Sequence, residues 1–217
     1  MKVIRNYLYN VGYQVLAIIV PLITSAYVAR VLRPEGVGAN AFTNSVIQYF
    51  MLFASMGIGY YGNRQIAYVR GNQQKMANTF WEIQIVKTIM TLIAFIAFEV
   101  FMIFYTKQPE YMWAQAINLV AVAFDISWFY EGIEDFKVTV LKNSFVKIVS
   151  MIAIFIFIKG PNDVTLYIAV LAISTLLGNL TLWPNIRRDL PKVNFKSLNP
   201  WPHFFFFFEL FIPQIAI

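Results

Sequence analysis

At 217 residues the chain is long enough for one domain, yet 59% of it is hydrophobic and 13% charged, far from the roughly 25% charge of a globular domain. That composition excludes an ordinary soluble fold and points to the membrane class, while the absence of cysteine removes disulfide frameworks, thiolate metal sites and cysteine nucleophiles together. The net charge of +6 is spread over short connectors, so it reads as a topology signal and not as a nucleic-acid surface.

Six apolar runs follow one another: Asn6 to Ala29, Phe42 to Gly62, Phe80 to Phe104, Tyr111 to Tyr130, Phe145 to Ile158 and Val164 to Trp183. About 20 apolar residues cross a hydrocarbon core roughly 30 Å thick, so the pattern predicts an all-α integral membrane fold of six transmembrane helices. Met1 to Arg5 resembles the charged start of a signal peptide, but the run behind it outlasts the roughly 7 to 15 residues of such a segment. It reads as a retained first span. The fifth run alone is short, and Asn143 and Ser144 complete it while Lys147 snorkels to the interface.

The connectors set the orientation. Lys2, Arg5, Arg64, Arg70, Lys75, Lys137, Lys142, Lys147, Arg187, Arg188, Lys192 and Lys196 fall on the side of the N-terminus, and only Arg30, Arg33, Lys107 and Lys159 lie opposite. By the positive-inside rule the N-terminus is cytoplasmic. Trp81, Trp113, Trp128 and Trp183, near span ends, read as an aromatic belt.

Residues 1–183 thus read as a six-helix transmembrane lobe, and residues 184–202, with Pro184, Pro191, Pro200 and Pro202, as a basic cytoplasmic linker. Residues 203–217 read as the start of a seventh transmembrane helix, too short to cross and cut off.

Polar residues interrupt the spans at helical spacing. Asn6, Asn10, Tyr13, Gln14, Pro21 and Thr24 share one face of the first helix, and Asn40, Asn44, Gln48, Ser55, Gly59 and Gly62 share one face of the second. The third aligns Gln84, Lys87, Thr88 and Thr91, and the fourth aligns Gln115, Asn118, Asp125, Trp128 and Gly132. The sixth offers Ser174, Thr175, Gly178 and Asn179. Small and polar residues in such stripes ordinarily serve helix contacts. Lys87 is different, because a charge at the bilayer centre costs about 2.5 to 3.5 kcal/mol on insertion scales, and it lies too deep to snorkel easily. It reads as a cavity-lining cation. Asp125 can bind a coupling ion or neutralise a neighbouring cation. Glu99 and Arg30 lie nearer the outer boundary; Arg30 is kept among the cavity candidates with Asn10, Gln14, Asn44 and Gln48. Glu131, Glu134 and Asp135 read as a solvated loop cluster, no metal site is indicated, and His203 reads as incidental.

Three segments carry a family likeness. Leu8-Tyr9-Asn10 through Pro21, closing with Ala29 to Gly38; Tyr61 to Ala67; and Asp125 to Glu134 together make the chain resemble the bacterial polysaccharide repeat-unit flippases, the capsule and O-antigen exporters of the multidrug/oligosaccharidyl-lipid/polysaccharide superfamily. The likeness runs to about Asn199, with Glu131 standing where that family often has Gln. It implies about a dozen or more spans in two lobes around a cationic cavity, of which this chain supplies the N-terminal lobe.

The implied function is transport: flipping of an undecaprenyl-pyrophosphate-linked oligosaccharide across the plasma membrane by alternating access, without a cofactor. The implied partners are the lipid-linked oligosaccharide, membrane lipids, a polysaccharide polymerase and a C-terminal lobe, and no nucleic acid. In that role Lys87 attracts the pyrophosphate or an acidic sugar, the amides replace water around the sugar, and Asp125 couples movement to protons or sodium. Three alternatives remain: a multidrug or cation exporter, an inactive N-terminal fragment, and a membrane glycosyltransferase or polymerase. The last needs a carboxylate or histidine cluster in a large surface loop, and the connectors are too short for one.

Overall fold

In the computed structural model, which describes residues 2–55, 57–105 and 107–204 and, among these, leaves out the side chains of residues 2–10, 12, 13, 17 and 187, the apolar runs become helices throughout. In chain order they are α1 (Lys2–Val31), α2 (Arg33–Ser55), α3 (Ile58–Val69), α4 (Gln73–Phe104), α5 (Pro109–Phe124), α6 (Ser127–Gly132), α7 (Phe136–Phe157), α8 (Val164–Leu180) and α9 (Trp183–Asp189). Among the described residues, six segments are long and apolar enough to cross a membrane: α1, α2 with α3, α4, α5 with α6, α7, and α8 continuing into α9. The chain is a multi-pass membrane protein with an all-α fold, as its hydropathy predicts. Of the anticipated seventh helix at 203–217, residues 205–217 lie outside the described residues, and 201–204 are helical.

The outward faces confirm which solvent the helices meet. Ile18 and Leu22 on α1, and Ile96, Ile103 and Phe104 on α4, are all exposed. In water such faces would aggregate; in lipid they are matched.

α5 is the central helix, packing against α2, α4 and α8. Ile47, Ala54, Ala94, Phe98, Met112 and Leu119 fill the space among α2, α4 and α5. Val28, Leu32, Ala114, Ile154, Ile158 and Val164 close the opposite end of the bundle. There the Tyr27 hydroxyl donates to the Ile158 carbonyl at 2.7 Å, so a side chain of α1 satisfies the frayed end of α7.

The third cluster lies at the end where α3, α6 and α9 meet. Phe80 stacks on Trp128 with ring centroids 5.4 Å apart and meets Phe129 edge-on at 5.1 Å. Trp128 is therefore a core residue and not part of an interfacial belt. Its ring lies directly over Gly62, where an added Cβ would strike it. At Gly132 a Cβ would come within 2.7 Å of Ile66 Cβ. These two glycines let the short helices α3 and α6 approach closely.

Two more expectations need correction. The fifth span is not short: α7 begins at Phe136, so Lys142 lies within the helix and not in a connector. His203 is not incidental, since its Nδ1 lies 2.7 Å from the Tyr61 hydroxyl and its Nε2 lies 3.1 Å from Glu82 Oε2. With the Asn199 amide donating to Glu82 Oε1 at 2.9 Å, these bonds fasten the segment after α9 onto α3 and α4.

Candidate functional site

The second and fourth spans are broken, and this feature organises the site. Between α2 and α3 the chain turns at Gly57, whose φ of 76° belongs to the left-handed region that glycine enters without a Cβ penalty. Between α5 and α6 it turns at Asp125, which leaves the helix with ψ 109°. Asp125 Oδ1 then accepts from the Ser127 amide at 3.0 Å and the Ser127 hydroxyl at 2.6 Å. This is an Asx turn that restarts the chain as α6.

A helix that ends inside a bundle leaves its last carbonyls without intrahelical donors, and no water in hydrocarbon replaces them. Every carbonyl at the end of α5 finds a donor. Asn179 Nδ2 donates to Ala121 O at 2.7 Å, the Asp125 amide to Val122 O at 3.2 Å, Gln84 Nε2 to Ala123 O at 2.8 Å and Trp183 Nε1 to Phe124 O at 2.8 Å. Lys87 Nζ donates to the carbonyl of Asp125 itself. A cation there also meets the negative end of the α5 dipole.

Beside this joint lies a cavity of about 410 Å³ lined by Ser55, Gly57 to Tyr60, Asn63, Lys87, Asp125, Ser127 and Glu131, among others. The first turn of α3, whose amides have no intrahelical acceptor, forms part of its wall. The Lys87 residue is only 3% exposed, so its stem is packed in the wall and its head meets the cavity.

Lys142, counted from sequence only as a topology cation, reaches the same joint. Its Nζ donates to Ser127 Oγ at 2.9 Å and Asn179 Oδ1 at 3.2 Å and lies 3.8 Å from Asp125 Oδ1. The Asp125 side chain is 41% exposed and that of Lys142 9%, so the carboxylate faces the cavity while the ammonium lies behind it. Glu131 belongs to the cavity and not to a solvated loop; of the two acids grouped with it, Glu134 pairs with Arg70. Among the described residues, Lys87 and Lys142 meet Asp125 and Glu131, so the local charge is balanced.

The other sequence candidates scatter. Asn44 lines a separate 220 Å³ cavity with Asn40, Gln115, Asn118 and Thr175. There Gln115 Nε2 reaches Asn40 Oδ1 at 3.3 Å and Asn118 Nδ2 donates to Gln115 Oε1 at 2.9 Å, a polar seam between α2 and α5. Gln48 lines a third cavity with Ser45 and Tyr49, and this one shares Ser55 and Val122 with the cavity at the breaks. Gln14 and Arg30 are exposed on α1, and the side chain of Asn10 lies outside the described residues.

The sequence does not mark Lys142, Asn179 and Trp183 as site residues, because their partners are backbone atoms and side chains that only the break brings together. The available signal was Asp125-Ile126-Ser127, the spacing of an Asx turn inside a span.

Broken helices beside a charged, partly open cavity recur in many membrane transporter folds. The chain belongs to a family described as "Polysaccharide biosynthesis protein", whose model matches residues 3–217. It is 25% identical over 165 residues to a protein of Escherichia coli (strain K12) named "Putative O-antigen transporter", a match covering 75% of this chain and 40% of that protein. A protein of the same name from Shigella dysenteriae is 25% identical over 147 residues, 66% of this chain and 37% of its own length. The chain therefore spans about two-fifths of the length of these relatives. Among solved structures there is no significant match.

Proposed function

We propose that this chain forms one lobe of a flippase that carries undecaprenyl-pyrophosphate-linked oligosaccharide repeat units across the plasma membrane for O-antigen or capsule assembly. The N-terminus is cytoplasmic, the second lobe completes the pathway and a polymerase receives the product. Support comes from the family, from relatives named as O-antigen transporters and, above all, from the cavity between the two broken spans, whose wall holds both Lys87 and the first turn of α3. Lipid tails stay in the bilayer while the polar headgroup travels through the groove. Unpaired sugar hydroxyls in hydrocarbon would cost several kcal/mol each, about 4 to 8 by transfer to cyclohexane, and Asn44, Gln48 and Ser55 replace the lost water.

The balanced charge suggests how release works. An arriving pyrophosphate competes with Asp125 and Glu131 for the ammonium groups, and a proton taken up by either carboxylate tips the balance toward the anion. Chemical steps play no part, so the reading is transporter and not enzyme.

The test uses cells whose transporter gene is replaced by Lys87→Ala, Lys87→Gln or Lys87→Arg in the full-length protein. At equal membrane abundance, Ala and Gln should lower surface polysaccharide at least tenfold while Arg retains part of it. Normal export in the Ala and Gln variants removes Lys87 from the mechanism. An exporter of organic cations is the second reading, favoured by Asp125 and Glu131 sharing the cavity; it predicts that drug resistance, and not surface polysaccharide, follows the variants.

A further inference from the structure

The carbonyl end of a broken membrane helix, with a carboxylate beside it, is the place where transporters hold a diffusible coupling cation. In this chain the place is taken. Lys87 comes from α4, a helix that does not break, and its Nζ donates to the carbonyl of Asp125, the first one beyond the end of α5. The side chain is 97% removed from solvent, since 3% of the residue is exposed. The oxygens that would complete a cation shell stand around the same cavity: the carboxylate of Asp125, the hydroxyls of Ser55 and Ser127, the amide of Asn63 and the carboxylate of Glu131.

We propose that the ammonium of Lys87 is a tethered cation that occupies an alkali-cation site at the break of the fourth span. The protein therefore binds no sodium or potassium there, and removing the ammonium recreates a working alkali-cation site. Two physical points carry this. The negative end of α5 together with the Asp125 carboxylate requires a positive charge in a joint walled by protein. Alkali cations take oxygen ligands without directional demands, so the space and lone pairs vacated by an ammonium suit them. Lys142 does not substitute for Lys87, because its own bonds go to Ser127 and Asn179 on the other side of the Asp125 carboxylate.

The inference rests on the transporter reading above and narrows its coupling ion to the proton. Its readout is stability without substrate, so it fails or survives separately from the export assay. The test is thermal unfolding of the detergent-solubilised protein in NaCl, KCl and choline chloride at equal ionic strength. The wild type should give one unfolding midpoint in all three salts. Lys87→Ala and Lys87→Ser should unfold at lower temperature in choline and recover in NaCl or KCl, the midpoint rising with the logarithm of cation concentration as for a ligand that binds only the folded state. Lys87→Arg should stay insensitive, and Asp125→Asn added to Lys87→Ala should abolish the recovery. A saturable alkali-cation response in the wild type overturns the proposal. So does its absence from both Lys87→Ala and Lys87→Ser, including the case in which neither folds at any cation concentration.

Discussion

At the scale of single residues, the joint is governed by hydrogen-bond accounting. Asn179 spends both ends of its amide: Nδ2 on Ala121 O and Oδ1 on the Lys142 ammonium. Gln84 uses only one, donating to Ala123 O while its Oε1 is buried with no partner among the described residues. Replacing either by leucine orphans one carbonyl, a cost of about 1 to 3 kcal/mol. In Gln84→Leu, however, a buried oxygen that bonds nothing also disappears, which offsets part of the loss. Asn179→Leu should therefore lower the unfolding midpoint more than Gln84→Leu, measured in the same detergent. The reverse order would show that the carbonyls of α5 are satisfied in another way. This logic also explains what the sequence revealed. Depth alone singled out Lys87 and Asp125, because a charge in a span is conspicuous. That one binds the main chain of the other was not legible, since a carbonyl has no letter of its own.

At the scale of elements, a polar stripe presumes that its span is one straight helix. The stripe from Asn40 to Gly62 crosses the turn at Gly57, and the one from Gln115 to Gly132 crosses Asp125. Within α2 and α5 the periodicity holds, which is why Asn40 and Gln115 do meet. Past the breaks the phase resets, and Gly62 and Trp128 pack against each other across α3 and α6, with Trp128 also forming part of the cavity wall. Two glycines of α3 distinguish these roles. Gly59 has open space where a Cβ would go, whereas at Gly62 a Cβ runs into the Trp128 ring. Gly59→Ala should leave stability unchanged or raise it by up to about 1 kcal/mol through helix propensity. Gly62→Ala should cost about 1 to 3 kcal/mol by overpacking. Equal effects in thermal unfolding would mean that α3 and α6 are not held at this distance.

At the scale of the whole molecule, orientation and water access can be read from one chemical property: the chain contains no cysteine, so single cysteines report without background. Connector cations predict that cysteines at Lys75 and Lys192 label with a membrane-impermeant maleimide only after the cells are opened, while those at Lys107 and Asn162 label in intact cells. The opposite pattern would invert the protein and place the closed aromatic end, around Phe80 and Trp128, on the outside. Water access is the more searching question, because charges as deep as Lys87 and Asp125 are tolerable only if a hydrated path reaches them. Ser55 and Gly59 line the cavity at the breaks, and Ile96 faces lipid on the same helix as Lys87. Cysteines at the first two should be modified by the impermeant reagent once it reaches the side on which the cavity opens, and protected when lipid-linked oligosaccharide is supplied. Cysteine at Ile96 should stay unlabelled from both sides. If Ser55→Cys and Gly59→Cys resist modification in folded protein from either side, the joint is dry. The network of Lys87, Asp125 and Lys142 would then be a structural clasp, with no place for a sugar to pass.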